Sequence, residues 1–133
     1  METDTLILDT NIVSYIMKGT AEAKLYERHL SNKLLSITFV TVGELYFGAE
    51  NANWGSKKRE SLEATLRNFV VLPYDNYVAR EYGKIRFAMK RAGGISDNDA
   101  WIAACAVRHD TPLVTHNARH FVNVPLIKLI TEI

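Results

Sequence analysis

Ile95-Ser96-Asp97-Asn98-Asp99-Ala100-Trp101-Ile102-Ala103-Ala104 decides how the rest of the chain is read, because it sets acidic side chains on the first turn of a segment otherwise built for burial. From Asp99 the i+3, i+4, i+7 spacing reaches Ile102, Ala103 and Ala106, a single apolar helical stripe. Asp99 therefore heads a core-facing surface. A carboxylate at a helix N-terminus gains up to about 1 kcal/mol from the macrodipole. Taking an unpaired charge out of water costs on the order of several kcal/mol, so such a group should pair or hold a cation. Taken alone, Ser96 as N-cap with Asp99 reaching back would make a capping box, the structural alternative to a metal-binding role.

Three other places repeat the pattern. Thr5-Leu6-Ile7-Leu8 reads as a short buried strand ending at Asp9, after which Ile12, Val13, Ile16 and Met17 follow helical spacing and Lys18-Gly19 closes the helix. Asp9 is either an N-cap, a role Thr10 or Asn11 would fill equally well, or a functional group. Leu35-Ser36-Ile37-Thr38 is a second strand, leading into a helix that carries Glu44 among Val42, Leu45, Tyr46, Phe47 and Ala49. Gly43 and Gly48 on that helix would let another backbone approach closely. A Glu in so apolar a helix is expected to be paired. Pro112-Leu113-Val114-Thr115-His116-Asn117 is a later strand that runs out into polar groups.

Strands alternating with helices predict right-handed crossovers and a parallel sheet covered on both faces. The expected fold is a three-layer α/β/α domain with a parallel sheet of four or five strands, spanning residues 1–133 as one unit. Ligands of such sheets bind outside the carboxyl ends of the strands, where strand order reverses. Asp9 and Asn117 fall at or just past strand ends, and the Asp99 helix starts at the same edge. With Glu44, three carboxylates and one amide converge on one rim. Mg²⁺ and Mn²⁺ are hard cations that favour carboxylate and water oxygen, and a divalent ion would relieve the repulsion within such a cluster.

The ordered set Leu8-Asp9-Thr10-Asn11, Val42-Gly43-Glu44-Leu45, Asn98-Asp99-Ala100-Trp101-Ile102-Ala103-Ala104 and Val114-Thr115-His116-Asn117, with Phe121 following, resembles a PIN-domain nuclease, in particular the VapC-type ribonuclease toxins of toxin–antitoxin pairs. The resemblance covers essentially the full chain. It implies a Mg²⁺- or Mn²⁺-dependent endoribonuclease, with Asp9, Glu44 and Asp99 as catalytic and metal-binding acids. Asn117 stands where many members carry a fourth acid, and Asp97 on the same loop as Asp99 is a supplementary ligand candidate. Hydrolysis of RNA would leave a 5′-phosphate and a 3′-hydroxyl. The resemblance further implies a homodimer and a cognate antitoxin that sets a basic side chain into the acidic rim.

The net charge of +1 does not by itself announce a nucleic-acid protein. Basic residues gather locally instead. A helix from near Asp75 to Gly93-Gly94 has an apolar stripe of Val78, Tyr82, Ile85 and Met89, with Arg80, Lys84 and Arg86 as candidate RNA contacts on its other faces and Arg91 and Lys90 beside them. Lys57-Lys58-Arg59 forms a second cluster. Either is a solvated helix face unless it flanks the acidic rim. Cys105 is the single cysteine and sits in the Ala-rich helix, so it reads as packing. His116 and His120 have the i, i+4 spacing of a helical zinc pair but lack the Glu of the metalloprotease motif. Trp54 and Trp101 read as core or contact residues rather than base-stacking platforms, since neither lies in a run of aromatic and basic residues.

The longest apolar run, Ile102 to Val107, is far short of the roughly 20 residues that span a bilayer. Met1-Glu2-Thr3-Asp4 is acidic where a signal peptide would be basic, and with the lone cysteine this predicts a cytoplasmic location. Two other readings compete with the nuclease. A haloacid-dehalogenase-like phosphatase would carry a second Asp two residues after Asp9, where Asn11 stands. A non-catalytic RNA-binding or adaptor domain would tolerate the amide at Asn117.

Overall fold

Thr5–Leu8 forms the central strand (β1), and its alternation divides the interior: Ile7 faces one side of the sheet while Leu6 and Leu8 face the other. The computed structural model describes residues 4–133; Met1-Glu2-Thr3, part of the acidic start noted above, lies outside the described residues. The elements that follow are α1 (Thr10–Lys18), α2 (Ala21–Leu30), β2 (Leu34–Thr38), α3 (Phe39–Asn51), α4 (Ser56–Leu66), β3 (Val70–Leu72), α5 (Asn76–Met89), α6 (Asp97–Arg108), β4 (Leu113–Val114), a short 3-10 turn (Ala118–His120) and β5 (Leu129–Ile130). The five strands pair in the order β3-β2-β1-β4-β5, all parallel, with Ile7 opposite Ser36 on one side and Leu113 on the other. This is the three-layer arrangement the alternation predicts.

One core lies under α5 and α6, where Ile7 and Leu113 meet Val78, Ile85, Met89, Ile102 and Phe121. The small buried residues Ala100, Ala103, Ala104, Cys105 and Ala106 make α6 a core helix along its length. Burial pushes the Cys105 thiol up to about 12, as expected of a packing residue. The second core, under α1 and α2, joins Leu6, Leu8 and Val114 to Ile12, Val13 and Tyr26. Gly19, at φ +63°, ends α1 in the left-handed conformation and donates its N–H to Ile16.

Several local expectations are corrected. Ser96 caps α6, accepting the Asp99 N–H at 3.2 Å, but the Asp99 carboxylate does not reach back; it turns to His120. Only the Ser half of the capping box forms. No close backbone approach occurs at Gly43 or Gly48, where a Cβ would meet nothing within 4 Å, and Tyr46 and Phe47 on the same helix are exposed. His116 and His120 do not share a helix, because the 3-10 turn begins only at Ala118. No helix among the described residues is long and apolar enough to cross a membrane.

Tyr26 fastens the end of the chain to the sheet. It is fully buried, its hydroxyl accepts the Glu132 N–H at 3.1 Å, and that hydroxyl stands 2.6 Å from His116 Nδ1 and 3.3 Å from the Thr115 carbonyl. Arg28 and His29 hold the Glu132 carboxylate below the usual range from the same helix. Tyr26→Phe keeps the ring and strands these buried polar partners, so it should cost about 1–3 kcal/mol. Urea unfolding checks this, and a midpoint equal to that of the parent chain would show that the hydroxyl contributes nothing.

Candidate active site at the reversal of strand order

β1 leads to α1 and onward to β2 on one side, whereas β4 arrives on its other side after a long excursion, so the crevice between β1 and β4 is where strand order reverses. Asp9 follows β1 directly and caps α1. Its Oδ1 accepts the Thr10 N–H at 2.8 Å, and its Oδ2 accepts the Thr115 hydroxyl, just past β4, at 2.7 Å. Asp9 is only 5% exposed. Burial holds its carboxyl above the ordinary carboxylate range, the bonds from Thr115 and Thr10 offset part of that rise, and the nearby charges of Asp99 and Glu44 add to it.

Glu44 arrives from α3. The Thr10 hydroxyl donates to its Oε1 at 2.5 Å and lies 2.9 Å from the Thr41 hydroxyl, while Asn98 Nδ2 donates to Oε2 at 3.0 Å. Thr10 thus bridges Asp9 and Glu44, its backbone serving one and its side chain the other. Asn98 links Glu44 to the turn that carries Asp99. The Asp99 Oδ2 lies 3.2 Å from His120 Nδ1. Asn117 completes the rim, its N–H donating to Thr115 Oγ1 at 3.0 Å.

Asp9, Glu44, Asp99 and Asn117 all line one cleft of about 830 Å³, together with Thr10, Asn11, Trp54, Lys18, Lys58 and His120. Asp97 does not line it. Two residues before Asp99 on a helix, it points elsewhere and pairs with Arg86 and the Tyr82 hydroxyl. Arg86 is thereby engaged, Lys84 sits 3.6 Å from Glu81, and Arg80 lies over the Tyr77 ring; none of the three lines the cleft. Of the basic clusters, only the one holding Lys58 reaches it.

Among the described residues no three His, Cys, Asp or Glu side chains form a ready-made metal cage. Each carboxylate is turned to a hydroxyl, an amide or an imidazole instead. The donor set nonetheless fits a hard divalent cation: all three acids face one cleft, and none of the three has a Lys or Arg within ion-pair distance among the described residues. Asn11, on the same wall, has a buried Oδ1 with no hydrogen-bond partner. Mg²⁺ keeps several waters and uses few carboxylates, so it needs no tight cage.

Thr10, Thr115, Asn98 and His120 were not singled out as site residues from the sequence. Thr10 and Asn98 are chain neighbours of Asp9 and Asp99, a signal that adjacency offers. Thr115 and His120 meet the acids only through the fold.

A buried acid after the central strand of a parallel α/β sheet, with two further acids across the same crevice, is the arrangement of an α/β protein with an acidic site at a strand-order reversal. The PIN domain family model matches residues 6–126. Ribonuclease VapC2 of Haemophilus influenzae is 33% identical over 127 residues, covering 95% of each chain. The tRNA(fMet)-specific endonuclease VapC of Salmonella typhimurium is 29% identical, covering 92% of this chain and 94% of its own. Among solved structures, VapBC-1 from nontypeable Haemophilus influenzae superposes with a TM-score of 0.81 at 29% identity, over 96% of this chain and 97% of that one. The chain belongs to the PIN-domain family, close to the VapC ribonuclease toxins of type II toxin–antitoxin systems. The phosphatase alternative falls with that membership.

The raised Asp9 carboxyl carries a pH signature. In the absence of divalent ions, the folded chain binds this proton more tightly than the unfolded chain, so ionised Asp9 costs stability at neutral pH. That cost is released as pH falls through the raised folded value toward the unfolded value of about 4. Asp9→Asn should therefore melt higher than the parent near neutral pH in EDTA, and the gap should close on acidification. A gap that stays constant across that range would show that Asp9 ionisation is not what strains the apo fold.

Proposed function

We propose that this chain, as a single nuclease unit over residues 1–133, cleaves RNA as a divalent-metal-dependent endoribonuclease, with Asp9, Glu44 and Asp99 as its metal-holding acids and the chain as the toxin of a toxin–antitoxin pair. The observation that carries the reading is the meeting of those three acids, from β1, α3 and α6, on one cleft in a chain of the PIN family. Asn117 borders the same cleft and supplies an amide oxygen, a ligand without charge. A bound Mg²⁺ or Mn²⁺ supplies Lewis-acid polarisation of the phosphoryl oxygen and lowers the pKa of water for attack.

The chain's own residues set up that chemistry. Thr10, Thr115 and Asn98 fix the Asp9 and Glu44 carboxylates by neutral hydrogen bonds, so their orientation is set without cancelling charge. Lys18 and Lys58, on the cleft wall, attract the phosphodiester toward a centre that would otherwise repel it. A cognate antitoxin would silence the site by presenting a guanidinium, whose fork matches carboxylates in place of the cation. The same relation makes Mg²⁺ and antitoxin competitors.

The isolated chain should cleave RNA with Mg²⁺ or Mn²⁺ and lose the activity in EDTA. Asp99→Asn should fold, as read by circular dichroism, and cut the rate by about 10²–10³-fold, the scale expected on removing a charge-stabilising group. Expression of the parent should arrest bacterial growth and that of Asp99→Asn should not. Parent-like cleavage by folded Asp99→Asn would overturn the assignment.

Asn117→Asp adds a charge to the rim. Calorimetric titration with Mn²⁺ should then show tighter binding at the weaker metal position. Unchanged stoichiometry and affinity would place Asn117 outside the metal's ligands.

A further inference from the structure

Trp54 belongs to neither core cluster, although its ring is half-buried at the corner between α3 and α4. It is held there by its backbone. Asn53, at φ +52°, turns the chain into the corner; the Trp54 N–H donates to the Ala49 carbonyl at 3.0 Å, and the Trp54 carbonyl accepts Arg59 Nε at 2.7 Å. Arg59 is itself paired with Glu50 on α3. A residue whose backbone is fixed in this way has only its side-chain torsions left to order when it takes a partner.

The surroundings name that partner's chemistry. Trp54 lines the cleft that holds the three acids, and Lys58 Nζ stands 5.8 Å from its ring centroid. Among the described residues, neither Lys58 nor Lys18 has a carboxylate within ion-pair distance. An indole with an ammonium over it that no carboxylate neutralises suits a molecule that couples a planar ring to an anion, the ammonium exchanging its contact with the ring for one with the anion. The volume of about 830 Å³ leaves room for a nucleotide beside the carboxylates.

We propose that Trp54 is a base-stacking platform for single-stranded RNA and that Lys58 contacts the phosphate of the stacked nucleotide, so that the α3–α4 corner holds the strand while the acids meet the scissile bond. This rests on the reading of the cleft as an RNA-cleaving site and adds a substrate-binding subsite to it. It also revises the sequence-based expectation for Trp54, whose basic neighbour comes four residues later, one turn into α4, rather than beside it in the chain. Stacking tolerates any base, so this subsite grips the strand and leaves sequence choice to other contacts.

The test uses full chains carrying Asp99→Asn to prevent cleavage and a fluorescein-labelled, mixed-sequence single-stranded RNA 12-mer. Trp54→Ala should weaken binding about 5- to 100-fold by anisotropy, and Trp54→Phe should recover much of the loss. Lys58→Gln should reduce the slope of log affinity against log salt by about 0.7, the value of one phosphate contact on a single strand. With Trp101→Phe added, Trp54 is the sole tryptophan and its fluorescence should be quenched as RNA binds. Parent-like affinity for a folded Trp54→Ala chain, or an unquenched Trp54 at saturating RNA, overturns the subsite while the ribonuclease reading stands. Should Trp54→Ala fail to fold, Trp54→Phe, Lys58→Gln and the quenching still decide. An uncut RNA with the parent chain and no binding by Asp99→Asn would remove both readings together.

Discussion

Asp9 sits at the end of the central strand with almost no exposure and two other carboxylates close enough to raise its proton affinity. A buried carboxylate is tolerable only where its oxygens are bonded, and here each has one donor, from the first residue of α1 and from the turn after β4. The first is local to the start of α1; the second exists only because β4 lies beside β1. The pairing of these two strands, with Leu8 opposite Val114, delivers Thr115 to Asp9 across more than a hundred residues of chain. The strand-order reversal that opens the crevice is therefore also what makes the crevice's acid affordable.

The bonds that orient the three acids come from hydroxyls, amides and an imidazole rather than from Lys or Arg. A guanidinium would satisfy a carboxylate better, but it would also spend the charge. Hydroxyls and amides orient a carboxylate while leaving its charge available to a cation. The exposed ion pair of Arg86 with Asp97 lies outside the cleft and joins α5 to the start of α6. Charge compensation and charge presentation are thus assigned to neighbouring residues on the same helical turn, and the helical rotation between Asp97 and Asp99 keeps them apart.

The parallel α/β/α layering and the meeting of Asp9, Glu44, Asp99 and Asn117 at one sheet edge were legible because they depend on local periodicity plus one topological rule, whereas the order of the strands was not. The stripe from Asp99 through Ile102, Ala103 and Ala106 needs only helical spacing, and parallel crossovers bring the strand ends to one edge. The remaining features depend on neighbours across the fold. Phe47 is apolar in the sequence, yet it stands exposed on α3. His116 and His120 look paired at helical spacing, but the chain there is not helical, and Tyr26 from α2 and Asp99 from α6 claim one each. Arg80, Lys84 and Arg86 gather in sequence on a helix whose buried side packs on α6, and their own side does not meet the cleft.

The +1 net charge hides a sorted surface. A nuclease must attract a polyanion to a site that is itself anionic, and a uniformly basic protein would neutralise its own metal ligands. The arrangement here separates the two demands along one cleft: acids at the strand ends, and unpaired ammonium groups on α1 and α4. On the proposed reading, long-range attraction would come from the lysines and short-range chemistry from the carboxylates, and screening by salt weakens the exposed charges first. Raising ionic strength should thus weaken substrate capture before it disturbs the buried acid, because Asp9 is shielded from solvent while Lys58 is not.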